Sequence, residues 1–103
     1  MTEASIAQRI GDWGEKLQAA DLAENTLNKN GNILIDIVGL CIAARQKDYV
    51  KAVIEAAEAG KFTMLGHAQG VSASSAALVN GTAAHGEDFD DTFEGGPVHS
   101  GVV

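Results

Sequence analysis

Hydrophobic positions recur at helical spacing in the first part of the chain. Four of them, at intervals of four, three and four residues, lie on one face of a helix: Ile6, Ile10, Trp13 and Leu17. This spacing predicts a helix from about Thr2 to Gln18. The stretch Asp21–Glu24 has the form of a capping box, which predicts that a second helix begins there.

A long apolar run follows a strong turn signal. The pair Asn30-Gly31 favours a turn, so we expect the second helix to end before it. The next twelve residues, Ile33–Ala44, carry one charge and are too many for a typical strand. We therefore predict a buried helix. Asp36 within it is expected at the rim, because burying an unpaired carboxylate is unfavourable.

Two further helices and an extended segment are predicted after this run. Asp48 is expected to cap a helix that ends at Gly60. The sequence KFTML, Lys61–Leu65, predicts a short extended segment followed by a glycine-bounded loop. The small residues from Ser72 to His85 are typical of a helix that packs closely against its neighbours.

Charge is distributed unevenly along the chain, which carries a net charge of −7. The seven basic residues all lie at or before Lys61, together with nine acidic residues, and five carboxylates follow with no basic residue. Without a basic stripe, binding to nucleic acid or to an anionic membrane surface is not expected. The single cysteine, Cys41, excludes an intrachain disulfide. The lack of a leader and of a membrane-spanning apolar run predicts a cytoplasmic protein.

The stretch AAHGEDFDDTFEGG, residues 83–96, combines a histidine, five carboxylates and two phenylalanines. If the preceding helix continued to Phe93, these residues would divide between two faces, because successive helical residues are about 100° apart. One face would carry four carboxylates, as a solvated helix side does: Glu87, Asp90, Asp91 and Glu94. The other would carry His85, Asp88 and Thr92 beside the aromatic rings, which suits the wall of a polar pocket.

Residue types alone allow three interpretations of this stretch: a solvated acidic surface, a metal site or the wall of a catalytic pocket. A calcium-binding loop needs a different order of oxygen ligands and glycine. A zinc site needs more ligands than His85, His99 and the distant Cys41, so no metal is predicted. A small acidic helical protein-binding module without catalysis is the alternative to a pocket wall.

The segment ALVNGTAAHGEDFDDTFEGGPVHSG, Ala77–Gly101, resembles the signature region of the MmgE/PrpD family. Its Asn-Gly, Ala-His, Asp-Phe-Asp-Asp-Thr and final histidine come in the family's order, and LIDIVGLCIAA resembles an early helix of that family. The family includes 2-methylcitrate dehydratases, cis-aconitate decarboxylases and an iminodisuccinate epimerase. The resemblance implies a mainly α fold, in which residues 1–103 form the N-terminal segment of a large helical domain. No internal boundary is expected, and the domain is expected to be incomplete.

The resemblance also implies a function. The chain would be a fragment, inactive alone, of a cofactor-independent lyase or isomerase that acts on small di- or tricarboxylates by acid/base chemistry, 2-methylcitrate dehydratase-like in the first instance. The full-length enzyme is expected to be a homodimer. By motif position, His99 matches an acid/base group, and Asp88 and Thr92 match residues that orient the substrate. His85 matches the motif histidine, in a structural or substrate-binding role.

Overall fold

The computed structural model describes residues 4–102, and its fold is mainly α, as predicted. The described residues form four helices and one two-stranded antiparallel sheet. They belong to two compact units, Met1–Asn30 and Gly31–Val103. Within residues 4–102, no helix is both long enough and apolar enough to cross a membrane.

The first unit contains helix α1, Ile6–Lys16. Ser5 caps it: the Ser5 hydroxyl accepts from the Gln8 amide at 3.2 Å, and the Gln8 side chain accepts from the Ser5 amide at 2.8 Å. This reciprocal pair satisfies two amides that lack helical partners. The predicted helix is confirmed over these residues, while Thr2 lies outside the described ones.

Helix α2, Glu24–Ala44, begins where the sequence predicts but continues further. Asp21 does not cap it, because its carboxylate accepts from the Gln18 amide at 2.9 Å within a preceding 3₁₀ turn, Ala19–Asp21. The turn predicted at Asn30-Gly31 is wrong, since α2 passes through this pair without a break. A glycine in a helix costs about 1 kcal/mol, less than ending one helix and nucleating another.

The second unit contains the later part of α2, then α3, Asp48–Glu55, β1, Ala59–Thr63, β2, Gly70–Val71, and α4, Ala73–His85. The strands pair antiparallel, with an irregularity in β1 between Ala59 and Phe62. Two predicted boundaries are wrong. Lys47 is the N-cap of α3, and Gly60 lies inside β1, against the main chain of Val71, where no Cβ would fit.

The core of this unit is built from small and medium-sized side chains, with α4 packed against α3 and both strands. Among residues 4–102, nine hydrophobic residues are buried: Cys41, Ala44, Val50, Met64, Val71, Ala76, Val79, Ala83 and Ala84. Four of them belong to α4, which confirms the close packing predicted for that helix. Asp36 is exposed, as predicted. The prediction that Ile33–Ala44 is a buried helix is wrong for most of the stretch, because only Cys41 and Ala44 in it are buried, and Leu34 and Ile35 are exposed.

A single side chain fixes α4 against the end of β1. Asn80 accepts from the Leu65 amide at 2.8 Å and donates to the Thr63 carbonyl at 3.0 Å. Its own carbonyl lies 3.4 Å from the Cys41 sulfur, which donates to it from α2. These contacts hold the helix whose last residue is His85.

Candidate active site

Helix α4 ends at His85, where the chain turns sharply. Gly86 is the C-cap, and a Cβ there would collide with the ring of Tyr49. Asp88 has a φ of 57° and its amide donates to the His85 carbonyl at 2.8 Å. Aspartate tolerates this left-handed conformation better than most residues. The prediction that the helix continues to Phe93 is therefore wrong.

A tight loop returns the chain to the same place. The Phe93 amide donates to the Val98 carbonyl at 2.8 Å, which closes the loop and brings His99 back towards the end of α4. Asp91 accepts from the Ser100 hydroxyl and from the Gly101 amide, the latter at 2.9 Å. The Ser100 hydrogen bond, foremost, lowers the pKa of Asp91. Asp91 thus holds the segment that carries His99.

Asp90 lies at the centre of the site, and its side chain is fully buried. One carboxylate oxygen, Oδ1, is 2.9 Å from Nδ1 of His85, in hydrogen-bond geometry. The other, Oδ2, is 3.0 Å from Nδ1 of His99, within ion-pair distance but not aligned as a hydrogen bond. The two imidazole rings meet edge to face, with centroids 4.6 Å apart. The placement of Asp90 on a solvated helix face is therefore wrong.

Asp90 also changes the acid/base properties of His85. The hydrogen bond from His85 to Asp90 raises the pKa of the imidazole, and the negative charges of Asp90 and then Asp88 act in the same direction. A hydrogen-bonded negative charge favours the protonated form of a histidine. His85 therefore holds its proton to higher pH than an isolated histidine does.

The other two predicted site residues, Asp88 and Thr92, lie beside Asp90 and the two histidines. Ligand atoms of His85, Asp88, Asp90 and His99 all lie within 4.8 Å of one another. Thr92 Oγ1 is 3.5 Å from Nδ1 of His99, at the outer limit of a hydrogen bond. The structure thus brings together the four predicted site residues and adds Asp90. Sequence reasoning missed Asp90 because it assumed that the helix continued past His85. Gly86, directly after His85, is the sequence signal that the helix ends there.

Two imidazoles and two carboxylates are also groups that a divalent cation accepts as ligands. In the structure, however, Asp90 contacts both histidines directly through their Nδ1 atoms. A cation bound to Asp90 and these nitrogens would have to replace both contacts. The absence of a metal stays a prediction, and chelation tests it.

Tertiary packing also brings a basic residue to the acidic segment. Lys47 Nζ lies 3.2 Å from Glu87 Oε2, and the Tyr49 hydroxyl donates to Glu87 Oε1 at 2.9 Å. The Tyr49 hydrogen bond, followed by the Lys47 contact, lowers the pKa of Glu87. In the sequence, no basic residue lies near the motif, whereas in the structure Lys47 does. Its charge is already paired with Glu87.

An open groove runs along α4 next to His85. Its volume is about 460 Å³, and the residues that line it all belong to α4 or its C-cap. Its lining is mostly apolar and small: Ala77, Leu78, Gly81, Thr82, His85 and Gly86. His85 therefore borders both the groove and the carboxylate cluster.

The fold and the site define a class: a mainly helical domain that carries a histidine–carboxylate cluster of a kind suited to proton transfer. A family model described as MmgE/PrpD N-terminal domain matches residues 8–103. The chain belongs to the MmgE/PrpD family, as the sequence motifs indicated. No curated protein and no solved structure gave a significant match.

Proposed function

We propose that the chain is part of a cytoplasmic, cofactor-independent lyase or isomerase that acts on small di- or tricarboxylates, 2-methylcitrate dehydratase-like in the first instance. The full-length protein would be a homodimer. One observation carries the proposal: a buried carboxylate, Asp90, holds two imidazoles beside Asp88 and Thr92, inside the family motif.

In this proposal His99 moves the proton. With Nδ1 directed at Asp90, its Nε2 accepts a proton from the substrate carbon next to a carboxylate, and the C–H bond breaks. In a dehydration, the electron pair forms the carbon–carbon double bond as the bond to the neighbouring hydroxyl breaks. The imidazolium returns its proton to the departing hydroxyl, which leaves as water. Histidine suits both steps because its ordinary pKa lies near neutral pH.

The other residues bind the substrate. Thr92 and Asp88 lie near His99 and offer a hydroxyl and a carboxylate to orient the substrate hydroxyl. His85, whose pKa is raised by Asp90, offers its second ring nitrogen as a hydrogen-bond donor to a substrate carboxylate, although Asp90 already balances its charge. Because Lys47 is already paired with Glu87, further positive charge for a tricarboxylate would come from other parts of the full-length protein.

The test is proton NMR of 2-methylcitrate, cis-aconitate and iminodisuccinate incubated with the full-length protein. We expect conversion of one of them, and a His99→Ala variant should lose turnover by a factor of about 10²–10⁴, the usual contribution of a general acid/base. His67→Gln is the matched control, because His67 lies in the loop between the strands. Unchanged turnover in His99→Ala would refute the role of His99.

The second candidate is a small acidic helical protein-binding module. It is favoured by the exposure of the apolar face of α1, where Ile6, Ile10 and Trp13 are 61–73% exposed. A folded protein that converts none of the three substrates would support this candidate.

A further inference from the structure

Asp90 contacts both histidines of the cluster, and its position suggests a role for it. We propose that Asp90 is the positioning residue of the site: a buried carboxylate, shared by His85 and His99, that fixes which nitrogen of His99 meets the substrate. The inference rests on the proposed function for its catalytic consequence, but the arrangement itself can be tested separately.

The first argument is the energy of burial. The Asp90 side chain is fully buried, and a buried carboxylate without partners is strongly unfavourable. Among residues 4–102, the groups within ion-pair distance of it are the two imidazoles. Asp90 is therefore retained inside the fold because His85 and His99 surround it, and the position of each ring depends on the carboxylate.

The second argument is the identity of the atoms. Both histidines direct Nδ1 at Asp90. A carboxylate oxygen presents lone pairs and no donor, so an Nδ1 that lies 2.9–3.0 Å from it favours a proton over a second lone pair. The neutral form of His99 then has its lone pair on Nε2, the atom that acts as base. The contact made by one ring nitrogen in this way sets the chemistry of the other.

The third argument is the unequal sharing of the carboxylate. His85 makes an aligned hydrogen bond to Oδ1, whereas His99 approaches Oδ2 without alignment. One carboxylate balances the charge of one imidazolium. The aligned hydrogen bond makes His85 that partner, and it raises the pKa of His85. His99 makes no aligned hydrogen bond to the carboxylate, so its ring remains available for proton exchange with the substrate. The other charged group that faces the pair is Asp88.

The experiment compares Asp90→Asn with Glu94→Gln in the full-length protein. Each variant removes one negative charge at nearly constant size, and Glu94 is exposed. We expect Asp90→Asn to lower kcat by a factor of about 10²–10⁴ with little change in KM, and Glu94→Gln to leave both unchanged. Asp90→Glu, which keeps the carboxylate, should recover part of the lost kcat. Equal kcat in Asp90→Asn and Glu94→Gln would overturn the proposal.

A second measurement does not depend on activity or on the folding of any variant. The ¹⁵N chemical shifts of the imidazole nitrogens in the wild-type protein show which nitrogen carries the proton. In the wild-type protein we expect Nδ1–H for neutral His99 and a pKa of His85 above its ordinary value. An Nε2–H form of neutral His99 would overturn the proposal. If the wild-type protein converts none of the substrates, the proposed function fails, and the nitrogen shifts still decide whether Asp90 orients the rings.

Discussion

Asn80 links α4 to the end of β1 through its side chain. It lies on α4, yet its side chain satisfies two backbone groups at the end of β1, the Leu65 amide and the Thr63 carbonyl. Asn80→Ala removes both hydrogen bonds at once. We expect it to loosen α4 from the sheet, and with it the helix end that places His85.

The magnitude follows from the surroundings of each bond. The Thr63 bond is exposed, so water replaces it and the loss is about 0.5–1.5 kcal/mol. The Leu65 amide is partly buried and would be left without an acceptor, which costs about 1–3 kcal/mol. Alanine returns up to about 0.7 kcal/mol through its higher helix propensity. The net expectation is a loss of about 1–4 kcal/mol in the free energy of unfolding.

The assay is urea unfolding followed by circular dichroism, together with amide hydrogen exchange. Asn32→Ala is the matched control, because Asn32 lies exposed within α2. This substitution should change stability only through the higher helix propensity of alanine. In Asn80→Ala the Leu65 amide should lose its protection, while in Asn32→Ala it should keep it. Equal stability of the two variants, with Leu65 still protected, would refute the reasoning.

Three further predictions concern the site. The pKa of His85 is raised in the folded protein, so its contribution to stability is fully present below the ordinary pKa and is lost as pH rises through the raised value; the stability difference between wild type and His85→Gln, from thermal unfolding, should be larger at about pH 6 than at about pH 9. Gly101→Ala should lower turnover, because its Cβ would collide with Asp91 and Ile37 beside the His99 loop, whereas Gly96→Ala, which meets open space, should not. Chelation with EDTA should leave substrate conversion unchanged.

Each of these has a contrary outcome. A stability difference for His85→Gln that stays constant with pH would mean that Asp90 does not hold the proton on His85. Equal turnover in Gly101→Ala and Gly96→Ala would mean that the Asp91 contacts do not position His99. Loss of conversion on chelation, restored by added Zn²⁺, would mean that the histidine–carboxylate cluster binds a metal.

Local sequence signals predicted most of the helices. The spacing of apolar residues in α1 and the small residues of α4 predicted elements close to their observed bounds, whereas the apolar run predicted only the part of α2 from Ile33 onward. The failures lie at boundaries. Asn30-Gly31 is a turn signal in isolation, but the cooperativity of a long helix outweighs it. Gly60 resembles a helix stop, yet it lies in β1. A glycine is needed there because the main chain of Val71 leaves no room for a Cβ.

The candidate site shows the same division. Motif order predicted His85, Asp88, Thr92 and His99 as site residues, and they lie close together in the structure. The helical arrangement used to group three of them is wrong. Asp90 was placed on the solvated side, because an uninterrupted helix would direct it there. Its burial depends on the turn after His85 and on the loop that returns His99 to the end of α4. Neither follows from the regular spacing of residues along a helix.

The sequence by itself therefore determined the helical class, the family and the chemical groups available, because propensity, periodicity and motif order are local properties. Only the tertiary structure decided which carboxylate is buried, which nitrogens face it and that Lys47 pairs with Glu87. The physical reason is that a charge enters the interior only where its partners converge on it. That convergence depends on where the chain turns in space, which no local pattern records.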